Sequence, residues 1–130
     1  CPTRWWLPKN CWKSLCSAGG GGGFDRRGRR KAGGLALYFE NFSTFLGRTG
    51  IHLEDLFVDP DQRGKGYGKR LFQAVCETAA ERGCQRLEWT CLNWNQPSID
   101  FYHYMGAAPL DEWTTFRLAG EAIEAALEKT

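Results

Sequence analysis

The chain has 130 residues, 42% hydrophobic and 14% aromatic, enough to pack one domain and too apolar for global disorder. No apolar run approaches the roughly 18 residues of a membrane span, and the start lacks the apolar core of a signal peptide. The formal net charge of +2 divides into +7 over residues 1–33 (eight Lys/Arg, one Asp) and −5 over residues 34–130 (nine Lys/Arg, fourteen Asp/Glu), an acidic domain behind a basic head.

Six cysteines, at 1, 11, 16, 76, 84 and 91, form no C-x-x-C pair and stand beside only two histidines, which argues against a zinc or other metal site. We expect reduced thiols and a cytoplasmic setting. Cys76 and Cys91 lie among apolar residues and read as buried, unreactive thiols. His52 and His103 have no partner motif and read as structural.

Residues 1–33 show neither helical nor strand periodicity. Gly19 to Gly23 is a glycine run, and Arg26 to Lys31 a basic cluster. Clustered arginines suit nucleic-acid phosphates, and a disordered tail is the plainer alternative. A third reading fits better: the chain opens on Cys1 rather than Met, and its Cys, Trp, Gly and Arg richness is that of a GC-rich gene read out of frame. The head is therefore expected to be irregular or out-of-frame sequence on a fragment, with nucleic acid not its partner.

The domain over residues 34–130 reads as follows. Leu35 to Phe39 is a short strand, and residues 40–50 a connection with Gly47 and Gly50 as turn signals. Ile51 to Val58 is a strand, ended by Asp59-Pro60-Asp61. Tyr67 to Arg82 is a helix whose apolar positions 71, 72, 75, 76 and 79 share one face, with Gly83 as its C-terminal cap. Arg86 to Leu92 is a strand. Asn95 caps a short helix with Pro97 in its first turn, running to Met105 before Gly106. Trp113 to Leu118 is a strand and Glu121 to Glu128 a terminal helix. Alternating strands and helices give an α/β domain with some parallel pairing.

Between the second strand and the first long helix lies RGKGYGKR, residues 63–70. Such a turn exposes backbone N–H groups beside the positive end of a helix, and Lys65, Lys69 and Arg70 add charge, which suits a phosphate or pyrophosphate. A P-loop is excluded, because the residue five before Gly68 is Arg63 and Arg70 follows Lys69. The spacing G-x-G-x-G also fails the G-x-G-x-x-G dinucleotide pattern.

The run Val58-Asp59-Pro60-Asp61-Gln62-Arg63-Gly64-Lys65-Gly66-Tyr67-Gly68 resembles the acetyl-CoA signature of the GNAT superfamily of N-acetyltransferases, with Arg63, Gly66 and Gly68 in its R-x-x-G-x-G core. Trp94 to Tyr102, WNQPSIDFY, resembles the helix that flanks the cofactor thiol in the same superfamily. LEDLFV at 53–58 and DEWTTFRL at 111–118 resemble the spermidine/spermine (diamine, thialysine) acetyltransferase branch, especially its bacterial members. The resemblance covers residues 34 to 130 and implies a GNAT-like mixed sheet flanked by helices, with the first strand and helices missing or scrambled.

Two adjacent acids, Glu54 and Asp55, interrupt an apolar strand whose neighbouring side chains point to opposite faces. A β-bulge would aim both into one cleft, and bulges recur near active sites. Acetyl transfer to an amine of pKa near 10.4 needs a base, and the resemblance implies Glu54 for that task, through a water, with Asp55 on the substrate's cationic end. It also implies Tyr102 as the acid for the departing thiolate, and a backbone N–H near Phe57 or Val58 for the developing oxyanion. The acetyl-CoA site it implies comprises Leu56, Phe57, Val58, Arg63, Gly64, Lys65, Gly66, Tyr67, Gly68, Lys69, Asn95 and Ser98, with Leu56 to Val58 pairing with the pantetheine arm like an added strand. An acidic domain suits a cationic substrate, and Glu54, Asp55, Glu88, Asp111 and Glu112 are candidate lining carboxylates, with Trp113 as a wall of the amine pocket. The expected reaction is direct transfer from acetyl-CoA to a polyamine, diamine or lysine-like amine. The alternatives are a CoA-binding remnant and nucleic-acid binding through the head. A homodimer is implied where the N-terminal part is intact.

Overall fold

The structure is a computed structural model and describes residues 33–129 together with the strand residues Gly23–Phe24 and Arg30–Lys31. The chain forms two compact units, Cys1–Thr90 and Cys91–Thr130. In the first, β1 (Gly23–Phe24) pairs antiparallel with β2 (Arg30–Lys31), a ladder that periodicity did not announce. The rest of the reading of residues 1–33, and the missing or scrambled elements before residue 34, lie outside the described residues.

β3 (Gly34–Ser43) and β4 (Arg48–Val58) form a long antiparallel hairpin, and β5 (Leu87–Glu88) adds to β4 in parallel, so the sheet is mixed, as expected. The hairpin corrects the sequence reading, which ended the first strand at Phe39 and began the second at Ile51. Gly47 makes the reversal itself: at φ +63° it takes a left-handed position, and its N–H donates to the Ser43 carbonyl at 2.8 Å. The buried Ser43 hydroxyl accepts from the Leu46 N–H at 3.2 Å.

Gly50 is a strand residue, not a turn. The Arg86 side chain crosses over it, so a Cβ there would sit 2.6 Å from Arg86 Cγ and 2.8 Å from Asn41 Oδ1. Arg86 is held in place, donating from Nη2 to the Phe42 carbonyl at 3.2 Å. Gly50→Ala is therefore expected to destabilise the chain by about 1–3 kcal/mol through overpacking, read as a lowered urea midpoint at unchanged m-value.

α1 (Tyr67–Glu81) packs on one face of this sheet. Leu71, Phe72, Val75 and Ala79 recur at helical spacing and meet Ala36, Tyr38, Ile51 and Leu53 to form the core. Cys76, expected in that stripe, is half-buried, and burial chiefly pushes its thiol above the ordinary 9.0, with Glu77 adding and its own backbone hydrogen bond opposing. The helix ends in a Schellman motif: Gly83, at φ +68°, donates to the Ala80 carbonyl at 3.1 Å and Cys84 to that of Ala79 at 2.9 Å. Arg82 then ties α1 to β3 by a 2.6 Å contact with Glu40 and a place 5.9 Å over the Tyr38 ring.

The third strand is shorter than the expected Arg86 to Leu92. Its parallel ladder exists only at Ile51↔Leu87 and His52↔Glu88. Beyond that β4 carries a bulge, which bends a strand and increases its twist, and the ladder stops short of it.

In the second unit α2 (Gln96–Tyr104) begins at Asn95, whose side chain accepts from the Ser98 N–H at 3.4 Å, and has Pro97 in its first turn. Gly106, at φ +90°, and Ala107 close it with the same paired bonds as α1, to His103 and Tyr102, both at 3.0 Å. α3 (Glu121–Leu127) follows Gly120, one residue short of the expected end. The expected strand over Trp113 to Leu118 does not form. A strand exists only through its ladder, and none of the described strands pairs with this segment. Trp113 and Phe116 are accordingly 70% and 90% exposed. Among the described residues, no helix is long and apolar enough to cross a membrane.

Candidate active site

The two acids are positioned by a register shift. Asp55 pairs with Leu37 and Leu53 with Tyr38, so Glu54 is an extra residue in β4 with no partner in β3. The alternation of the strand changes phase across this bulge. Before it, Ile51 and Leu53 point into the core; after it, Leu56 and Val58 take the more buried positions. Both acids therefore leave the face that α1 covers, and both are exposed. The bulge expected at Glu54 and Asp55 is present, and it turns both to one exposed face of the strand.

Sequence reasoning left one neighbour out. His52 shares the face of Glu54, with Nε2 at 3.5 Å from Glu54 Oε2, and its ring is tilted against Phe39 at 5.0 Å between centroids. It was read as a structural histidine without a partner. The available signal was the i, i+2 spacing of His52 and Glu54 on a strand, which puts two side chains on one face.

The glycine turn begins where β4 ends. Asp59 caps a short 3₁₀ turn, Pro60–Gln62, accepting from the Asp61 N–H at 3.0 Å. Arg63 then folds back, donating from Nε to the Val58 carbonyl at 3.2 Å, while Lys65 Nζ reaches Gln62 Oε1 at 3.3 Å. Two of the phosphate-site cations are thus engaged with their own loop. Gly64 and Gly66 take φ of +77° and +83°, which an L side chain rarely adopts. Gly66 is the N-cap of α1 with no side-chain cap, and the first helical bond runs from Arg70 N to Gly66 O at 3.1 Å. The N–H groups of Tyr67 and Gly68 precede that bond and lie at the positive end of the helix, the arrangement that receives an anion.

On the other side of β4, the β5 ladder ends at His52, so residues 53–58, apart from the unpaired Glu54, are paired on the β3 side alone among the described strands. Glu88, a candidate substrate carboxylate, is in register with His52 and lies 3.6 Å from Arg86 Nε.

The remaining candidates belong to the second unit. Asn95 and Ser98 form the α2 cap already described, and Tyr102 lies in the last turn of α2. Burial raises the Tyr102 hydroxyl above its ordinary 10.0, and the charge of a Cys91 thiolate adds in the same direction. Trp113, with Pro109, Leu110, Asp111 and Glu112, lines an open hollow of about 290 Å³. Among the described residues no group of His, Cys, Asp and Glu is arranged to hold a metal ion.

The profile of the acetyltransferase (GNAT) family matches residues 7–107, a span that starts within the head and runs past α2. L-ornithine N5-acetyltransferase NATA1 of Arabidopsis thaliana is 41% identical over 92 residues, covering 71% of this chain and 40% of that protein. Thialysine N-epsilon-acetyltransferase of Bos taurus is 41% identical over 93 residues, covering 69% of this chain and 54% of that protein. The chain thus spans about half the length of the curated relatives it matches. An integron cassette protein from the mobile metagenome of V. cholerae has a similar structure, with a TM-score of 0.71 at 30% identity over 76% of this chain and 61% of that one. A strand bulged at paired acids, a glycine turn leading into an uncapped helix and a profile match over most of the chain agree: this chain belongs to the GNAT acetyltransferase family.

Proposed function

We propose that the chain carries the acetyl-CoA site and the paired acids of an N-acetyltransferase that acts on the primary amine of a small cation, of the ornithine, thialysine or polyamine kind. The observation that carries this reading is the bulge at Glu54. It sets two carboxylates on one face of β4 where the β5 ladder has stopped, one loop away from an anion-receiving helix start.

Acetyl-CoA supplies an activated acyl group on a good leaving group. The residues present fit it: Gly64 and Gly66 take left-handed positions, and α1 has no side-chain cap, which leaves the N–H groups of its first turn for an anion. Arg63, Lys65, Tyr67 and Lys69 would flank the phosphates. Leu56, Phe57 and Val58 would offer backbone groups to the pantetheine arm. Asn95 uses its oxygen to cap α2, which leaves its amide NH₂ to donate to the same arm, beside Ser98. Glu54 would take a proton from the ammonium nitrogen through a water, and Asp55, with Glu88 and Trp113, would hold the cationic end. Tyr102 would deliver its proton to the departing sulfur, a task that its raised pKa suits, because the hydroxyl stays protonated.

A thiol-release assay with acetyl-CoA and a panel of ornithine, thialysine and spermidine tests this. Turnover with a cationic amine is expected. CoA binding without turnover on any amine would leave a CoA-binding remnant, and no CoA binding would sink the proposal.

Gly68 separates a fold requirement from a ligand requirement. Its φ is not left-handed, and a Cβ there would meet only Val58 Cγ2, at an ordinary 3.6 Å. Gly68→Ala is expected to leave the unfolding midpoint unchanged or raise it, since Ala is the better helix former by about 0.5–1 kcal/mol. Calorimetric titration should nonetheless show CoA binding weakened about tenfold, because the added methyl blocks close approach of a pyrophosphate to the helix start.

A further inference from the structure

Glu54 is loosely placed on its strand. It is the extra residue of the bulge, without a partner in β3, and its side chain is 55% exposed. A base that must meet one proton in one place loses rate when its carboxylate wanders, and a misplacement of 1 Å can lower a rate about a hundredfold. We infer that His52 is a positioning residue that orients the Glu54 carboxylate toward its proton. This rests on the reading of Glu54 as the base.

The geometry singles out His52. Its Nε2 lies 3.5 Å from Glu54 Oε2, and its own side chain is only 26% exposed. The ring lies against Phe39, its cross-strand partner in β3, and the His52 backbone is in register with Glu88 of β5. The charged groups around it are Glu54 and Asp55 of β4 and Glu88 of β5. Asp55 is one residue further along the strand, and Glu88 faces Arg86 Nε at 3.6 Å, which leaves the imidazole edge to Glu54. A donor held on one carboxylate oxygen leaves the other oxygen for the incoming proton. The pair is too exposed to matter for stability, so its consequence is orientation.

His52→Phe keeps the ring on Phe39 and removes the nitrogen, and His52→Gln restores a donor without the imidazole. His52→Phe is expected to lower kcat about tenfold with KM for the amine and the thermal midpoint unchanged, and His52→Gln to recover most of that loss. Glu54→Gln is run beside them. If it loses turnover while His52→Phe stays within about twofold of the parent chain, the inference falls and the base survives. Equal losses in His52→Phe and His52→Gln also overturn it. If Glu54→Gln keeps full turnover, the base reading falls and the inference with it. A readout independent of turnover is the long-range ¹H–¹⁵N spectrum of the parent chain. A proton on Nε2 whose resonance moves in Glu54→Gln supports the pairing, and an unprotonated Nε2 or an unmoved resonance overturns it.

Discussion

Tyr102→Phe is expected to lower kcat about 10²–10³-fold with CoA affinity nearly unchanged, measured by steady-state thiol release and by calorimetric titration of CoA. The size is that of one positioned proton donor. The change removes a single oxygen from a half-buried ring, so Asn95, the α2 cap and the paired closing bonds at Gly106 and Ala107 remain. An equal fall in kcat and kcat/KM would mark a contact made only in the transition state. Retention of the parent kcat would remove Tyr102 from the mechanism. The raised pKa adds a pH signature. The hydroxyl is the acid only while protonated, so the alkaline limb it governs lies above pH 10. Its effect on stability has the same sign. Folding favours the protonated form, so stability is unaffected below the unfolded value of 10.0 and falls as pH rises through the higher folded value. Tyr102→Phe should lack that fall, seen as urea midpoints compared between about pH 9 and about pH 11.

Glu54→Gln is expected to cost about 10²–10³ in kcat at neutral pH, since the amide keeps the shape and cannot accept the proton. The deficit should shrink as pH rises toward the pKa of a primary amine, near 10.4, because the substrate then sheds its proton unaided. A deficit independent of pH would argue against a base at this position. The neighbouring Asp55→Asn is the contrast. A residue that only holds the cationic end should raise KM for a diamine and leave kcat close to the parent value. The two acids are adjacent in sequence, and the bulge puts both on one face, so roles rather than burial separate them.

Local signals in the sequence were reliable where one residue type meets one backbone need. Asn95 with Pro97 predicted the start of α2, and Gly106 its end, because caps depend on neighbouring residues alone. The apolar stripe at 71, 72, 75, 76 and 79 predicted the buried face of α1 except at Cys76, which is only half-buried. Glycine signals were ambiguous. Gly47 and Gly50 looked alike, yet one makes a turn through a left-handed φ and the other stays in a strand because a remote arginine needs the room. Trp113 to Leu118 carries strand-like residues, but the ladder that would make them a strand is not formed by any described partner. The contact of His52 with Glu54 had no motif to announce it, because it comes from two side chains sharing one face of a strand.

Residues 53–68 present two acids, an apolar strand end, an arginine and alternating glycines in that order. Residue type and spacing were enough to separate this turn from nucleotide-binding look-alikes, since glycine spacing limits where backbone N–H groups can point. Tertiary structure decided the rest. Strand alternation would send Glu54 and Asp55 to opposite faces, and one unpaired residue against β3 sends them to the same face. Whether a strand bulges is set by its pairing with another strand, so two adjacent letters become one carboxylate face only when the sheet is assembled.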